Sequence, residues 1–267
     1  LDWAGVFAGR GAKLVDLPGY AFQHQRYWVT SAAGQGDAAG LGLDVTGHPL
    51  LGAAVTVPGA DTVILTGRVP AGTQTWLSGG SALLDLAVHA GDQVGCGTVR
   101  QLTIEAPLAP APGRALAVRA VVDGPDPDGA RPVTIFSRPA ADLPWTRHAR
   151  GTLVSAPATT PAWPGDDGAV EVTLPEPVTA DGFGLHPALL DAALPGPAVE
   201  WRGFTLYAVG ATELRARITS VDGGLSLLLA DRTGAVVASA DRVVLGDLRP
   251  VAPVADSLFG VEWREVA

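Results

Sequence analysis

The chain of 267 residues contains no Met, one Cys, one Lys and few aromatic residues, 6% in all. A lone Cys96 excludes an internal disulfide, and no Cys/His cluster has the spacing of a metal site, so neither staple is expected. Basic residues are scarce: 18 Lys and Arg stand against 27 Asp and Glu, a formal net charge of -9. That sign repels a phosphate backbone, which excludes nucleic acid as a natural partner. No apolar run reaches the roughly 20 residues that span a bilayer. The first residues, Leu1, Asp2 and Trp3, lack the basic-then-apolar order of a signal peptide. These absences point to a reducing cytoplasm. The missing Met fits a piece of a longer polypeptide, and the use of Arg almost to the exclusion of Lys, with 34 Gly and 22 Pro, fits a GC-rich coding genome.

What is present is a 47% hydrophobic content, enough for a sizeable core that needs no staples. Residues 31–42 are Gly, Ala and small polar side chains and read as a linker, so a folded domain should begin near Asp44. Short runs rich in β-branched residues follow at 53–57, 62–69, 99–105, 115–122 and 132–137, punctuated by Gly and Pro. One stretch breaks the pattern. SALLDLAVHA, residues 81–90, has no Gly or Pro inside and sets Leu83, Leu84, Ala87 and Val88 on one helical face, with Ser81 and Gly91 as its expected caps.

A Pro-rich stretch at 156–168 precedes a second series of strand-like runs at 169–174, 204–209, 212–218, 225–230 and 236–245. Within it a second short helix is predicted from His186 and Pro187 to Leu194, where Pro195 and Gly196 stop it. The order strands, helix, strands thus occurs twice. Each half reads as a curved antiparallel sheet wrapped on one helix, an α+β arrangement.

Several strings then carry a resemblance. LPGYAFQHQRYW at 17–28 is similar to the linker that follows an acyltransferase, and HPLLG at 48–52 to the start of a first hotdog. SRP at 137–139 with PWTRHARGT at 144–152 resembles the end of that half, and GLHPALLDAAL at 184–194 the helix of a second. LFGVEW at 258–263 is similar to the opening of a ketoreductase region. In this order the strings resemble the dehydratase domains of modular type I polyketide synthases. The resemblance implies a double hotdog: residues 1–43 a post-acyltransferase linker, 44–155 the first hotdog, 166–250 the second, and 251–267 a linker onward, with both halves truncated. It implies as partners an acyl carrier protein, which brings the substrate on its phosphopantetheine, and neighbouring acyltransferase, ketoreductase and ketosynthase domains, in a homodimer. No cofactor is implied.

Such domains remove water from a β-hydroxyacyl thioester. A histidine near the first helix takes the proton beside the thioester carbonyl, and an aspartic acid on the second helix protonates the departing hydroxyl. The resemblance places the acid at Asp191. Its helix is otherwise apolar, Pro187 and Pro195 are its i±4 neighbours, and desolvation should raise its pKa; a place on an exposed helical stripe is the alternative.

The base is missing. The family's motif, similar to H-x-x-x-G-x-x-x-x-P, belongs after a Trp-Leu pair, where this chain passes from Trp76 and Leu77 through Ser78, Gly79 and Gly80 straight to Ser81. His48, Gly52 and Pro58 nearly reproduce that motif, with Pro one position late. His89, four residues after Asp85, reads as half of a solvated helix pair; His148 reads as a strand-edge residue, His24 as a linker residue, and His186 as lying outside the helix proper. Two further departures agree: the family's Tyr-Gly-Pro stretch is reduced to residues 165–168, and Pro195 stands where the family continues its helix. The expected function is a pseudo-dehydratase that spaces catalytic neighbours and leaves the β-hydroxyl in place, with Asp191 a vestigial acid. The alternatives are an active dehydratase or isomerase that uses His48 or His186, and an unrelated β-rich ligand-binding domain with Trp76, Trp145, Trp163 and Trp201 as a platform.

Overall fold

The computed structural model describes residues 38–71, 75–111, 113–155, 159–165 and 168–249, with 8, 9 and 11. The chain divides into two compact units, Leu1–Ala32 and Ala33–Ala267, and the fold below belongs to the second. The strings at 17–28 and 258–263, and with them His24, lie outside the described residues.

Alternation of apolar and polar side chains makes the strands. In β5 (Leu116–Val122), Leu116, Val118, Ala120 and Val122 point inward while Arg119 faces solvent, the period of two that a half-buried sheet requires. The first half is built from β1 (Asp44–Val45), β2 (Ala53–Thr56), β3 (Val63–Val69), a 3-10 turn (Thr75–Ser78), α1 (Ser81–Asp92), β4 (Thr98–Ile104), β5, β6 (Arg131–Arg138) and β7 (Thr146–Val154). The second half has β8 (Val170–Thr173), α2 (Pro187–Ala193), β9 (Ala198–Leu206), β10 (Glu213–Val221), β11 (Gly224–Ala230) and β12 (Val236–Leu245). All pairings are antiparallel, and the order is β1-β2-β3-β5-β6-β7-β4-β9-β12-β11-β10-β8. Seven strands of the first half and five of the second meet at one seam, β4 against β9, to give a double hotdog.

Helix α1 is apolar nearly all round: from Ser81 to Gly91 every residue but His89 is buried. Such a helix has to be enclosed, and β4, β5, β6, β7 and β9 of the sheet pack against it. Its ends differ from the expected caps. The N-cap is Gly80, which has no side chain to offer, and Ser81 is already helical. Gly91 lies inside the helix, where a Cβ would come within 2.4 Å of the Cys96 carbonyl oxygen; its role is close approach. The Cys96 thiol is buried in this turn, and burial pushes its pKa up.

The strand expected at 204–209 starts six residues earlier, at Ala198. Gly203 adopts φ 61°, so alternation slips and Trp201 and Phe204, three apart, both point inward. The period-two signal is lost there. Helix α2 follows its sequence signals: Pro187 opens it and extended backbone at Leu194, before Pro195, closes it. Among the described residues no helix is long and apolar enough to cross a membrane.

Trp201 is fully buried beside Phe204, their ring centroids 5.7 Å apart. Trp201→Ala is expected to cost about 3–5 kcal/mol, read as a fall in the urea midpoint.

Candidate active site

His186 starts α2 by accepting, through Nδ1, the backbone N–H of Ala188 at 3.1 Å. It is the N-cap of α2. One turn on, Asp191 is half-buried and directed at the start of α1. A Cβ on Gly79 would lie 2.2 Å from Asp191 Oδ2, and the three atoms nearest to it all belong to that carboxylate. Burial pushes the Asp191 carboxyl up from its ordinary value, while the Ser81 hydroxyl and backbone N–H that face it pull the other way. The groups set against the acid are therefore Gly79 and Ser81.

The histidines form a different centre. His48 Nδ1 accepts the backbone N–H of both Leu50 and Leu51, each at 3.1 Å. Its proton must then sit on Nε2, which donates to Asp85 Oδ2 at 2.8 Å. The residue is 1% exposed, so both ring nitrogens are committed within the core. Asp85 consequently is not the solvated partner expected for His89: it is 4% exposed and belongs to His48. His89 stacks on His48 instead, ring centroids 4.5 Å apart, with its Nε2 buried and without a hydrogen bond. Burial, reinforced by His48, lowers its pKa to about 4. Phe183 and Trp76 extend this cluster, with Phe183 edge-on to His48 and to His186.

His148 is likewise interior, contrary to a strand edge. It lies in β7, which pairs on both sides with β6 and β4. Its Nδ1 hydrogen-bonds the Ala106 carbonyl at 3.2 Å, which leaves Nε2 to accept from the Ser137 hydroxyl at 2.7 Å. Sequence reading missed both this bolt and the His48–Asp85 pair. A signal existed for one half of the pattern, because HPLL at 48–51 and HPAL at 186–189 use the same His-Pro device, Nδ1 accepting the N–H two residues on. The Trp platform does not form: Trp201 is fully buried, Trp76 is edge-on to Phe183 and His186, and Trp145 is flanked by the guanidiniums of Arg119 and Arg138 at 4.6 and 4.5 Å from its ring centroid.

Between α1 and α2 the packing leaves a void of about 10 Å³, lined by Leu84, Asp85, Val88, Leu185, Leu190 and Phe204 among others. An open cleft of about 680 Å³ lies at the far end of α1, bordered by Thr46, His89, Asp92, Phe183 and Val209. Asp191 borders neither. Among the described residues no group of three or more His, Cys, Asp or Glu is placed to hold a metal.

The sequence model of the polyketide synthase dehydratase domain matches residues 48–138. Polyketide synthase GfsA of Streptomyces halstedii is 39% identical over an alignment of 351 residues that takes in 100% of this chain and 5% of that protein. Mycoketide-CoA synthase of Mycobacterium tuberculosis is 34% identical over 342 residues, 98% of this chain and 8% of its own length. The chain thus spans a small fraction of these multidomain relatives, and alignments longer than its own 267 residues mean that they carry segments it does not. Among solved structures, a chain from work on dehydratase substrate selection in the borrelidin and fluvirucin polyketide synthases superposes with a TM-score of 0.72 at 33% identity, covering 81% of this chain and 100% of that one. The dehydratase domain from the terminal module of the rifamycin synthase gives 0.69 at 33%, covering 79% and 100%. With the two wrapped helices and the paired half-sheets already in place, these matches settle the family: the chain belongs to the dehydratase domains of modular polyketide synthases.

Two outcomes follow from the histidine cluster. His48→Ala strips Asp85 of its buried partner and is expected to cost about 3–5 kcal/mol by chemical denaturation. For His89 the folded pKa, about 4, lies below the unfolded 6.5, so the folded state binds fewer protons between those values. Its contribution is complete above pH 6.5 and is lost as pH falls through that window. Asp92 and Asp191, both raised, contribute in the opposite sense, being most favourable at low pH. His89→Gln should therefore show a smaller fall in Tm than the parent between pH 7 and 5, a comparison that isolates the imidazole.

Proposed function

We propose that this domain is silent as a dehydratase and acts in its synthase as a folded spacer, so that the β-hydroxyl of the growing chain is retained. The observation that carries the reading is the company of Asp191: Gly79 and Ser81 stand against its carboxylate where elimination would need an imidazole. The proton beside a thioester carbonyl is a weak acid, and a positioned general base contributes about 10²–10⁴ in rate. Asp191 supplies a donor without an acceptor.

Replacement of the base from elsewhere in the fold meets the hydrogen bonds already formed. His48 presents no free lone pair, since Nδ1 holds two backbone N–H groups and Nε2 carries the proton given to Asp85. His186 spends Nδ1 on the helix cap. The void between the helices, about 10 Å³, holds at most about one water, and Asp191 does not border it. A spacer role keeps the core that a truncated domain still needs while dispensing with the tunnel. Its partners are an acyl carrier protein and the neighbouring synthase domains, within a homodimer.

Incubation of the purified domain with a β-hydroxyacyl thioester of a carrier protein tests the proposal, with mass spectrometry following loss of water. The expected result is an unchanged hydroxyacyl species, identical for the parent and for Asp191→Asn. Enoyl product formed in proportion to domain concentration, and abolished by Asp191→Asn, would overturn it.

A further inference from the structure

The sheet distributes its charge unevenly. Strands β3, β5, β6 and β7 are consecutive neighbours in it and contain six arginines with no Asp or Glu, in a chain where 27 acidic residues outnumber 18 basic ones. Alternation decides where those arginines point. Val118, Ala120 and Ile135 face the core, so the residues that alternate with them face out, and the strand registers assemble these into rows. Arg68, Ala117 and Arg138 form one row, Arg119, Phe136 and Arg147 the next, and Arg150 stands beside Thr134 in a third. Arg131, the sixth, turns instead to the backbone carbonyls of Asp61 and Asp123.

The positive charge on this outer face is only partly matched from within the chain. Arg147 and Arg150 share the single carboxylate of Glu105, at 2.8 and 3.2 Å. Among the described residues Arg119 and Arg138 pair with no carboxylate; their guanidiniums lie over Trp145, 4.6 and 4.5 Å from its ring centroid. A guanidinium held over an aromatic ring does not spend its N–H donors there, and they remain for an acceptor. Arg138 gives one to the Ala141 carbonyl at 2.9 Å, while its Nε is buried with no hydrogen bond. Two like charges are thus gathered at one indole without an anion. Next to Arg150 the same face opens into a hollow of about 400 Å³, bordered by Gln101, Thr103, Thr134 and Thr152 among others.

We propose that this face is a docking surface for an acidic protein segment, whose carboxylates pair with Arg119, Arg138, Arg147 and Arg150 around Trp145. Charge sets the sign of the partner, and the interleaved aromatics set its class. Arg and Trp are the side chains that dominate protein interfaces, and half-buried Trp145 and Phe136 supply apolar area between the cations. A nucleic acid fits less well. A duplex brings about one phosphate per 1.7 Å, and beyond this patch it meets the carboxylates of a chain whose net charge is -9. A few carboxylates on a protein surface match the arginines and stop there. Helix α1 packs on the other face of these strands, so docking here is independent of whether the domain catalyses.

Titration of the whole chain with a fluorescein-labelled decaglutamate peptide, followed by anisotropy at low salt, tests this. Saturable binding that weakens as salt is added is the expected result. Arg119→Glu combined with Arg138→Glu should lower the affinity about tenfold, whereas Arg232→Glu, at an exposed arginine of the second half, should leave it unchanged. Circular dichroism and the urea midpoint establish that each variant is folded. Should the charge reversal unfold the protein, Arg119→Gln combined with Arg147→Gln takes its place, with a smaller loss in the same direction. Absence of saturable binding to the parent, or equal weakening by Arg232→Glu, overturns the proposal. Tighter binding of a decathymidylate than of the peptide overturns it as well, since phosphate and not carboxylate would then be the preferred ligand.

Discussion

The pairing of β4 with β9 is the constraint on which the rest of this domain depends. Through it Thr98 faces Thr205, Leu102 faces Trp201 and Thr103 faces Glu200, so two curved half-sheets become one. Unpaired, each half would expose a strand edge, with its row of free N–H and C=O groups. Buried hydroxyls of Thr98 and Thr205, 2.8 Å apart, hydrogen-bond at this seam, and the fully buried Trp201 fills the space under it. The seam also fixes where the second helix stands relative to the first. Asp191 meets Gly79 because β9 leaves α2 and runs directly onto β4; neither half alone could set that distance.

Much of the architecture was legible in the chain. Both helices announced themselves, α1 by an apolar run free of Gly and Pro and α2 by Pro at its start and stop, and most strands followed alternating β-branched runs. The junction strand β9 was the main loss, since Gly203 breaks its alternation and Glu200 and Arg202 disguise its core face. For the site, the position of Asp191 on its helix could be read, whereas its surroundings depended on a partner more than a hundred residues away. The spacing of Asp85 and His89 suggested a solvated pair. Enclosure of α1 on all sides decided otherwise, because a carboxylate with 4% exposure takes the strongest donor within reach, and that donor, His48, lies 37 residues away in sequence.

The polar groups of the interior share one character. His48, His148 and His186 each have a ring nitrogen engaged by backbone or by a neighbouring side chain, and each ties together segments that are distant or that open an element. Imidazoles that serve proton transfer keep a lone pair facing a cavity. Here those nitrogens serve cohesion of the fold.

Cys96 shows what enclosure of α1 does to reactivity. Its thiol is the sole sulfur of a chain with no methionine, and it sits in the turn that ends that helix, buried and held in its protonated form. An alkylating or oxidising reagent meets a covered thiol there. Labelling therefore waits on local opening of that turn, and its rate reports how often the end of the helix comes free.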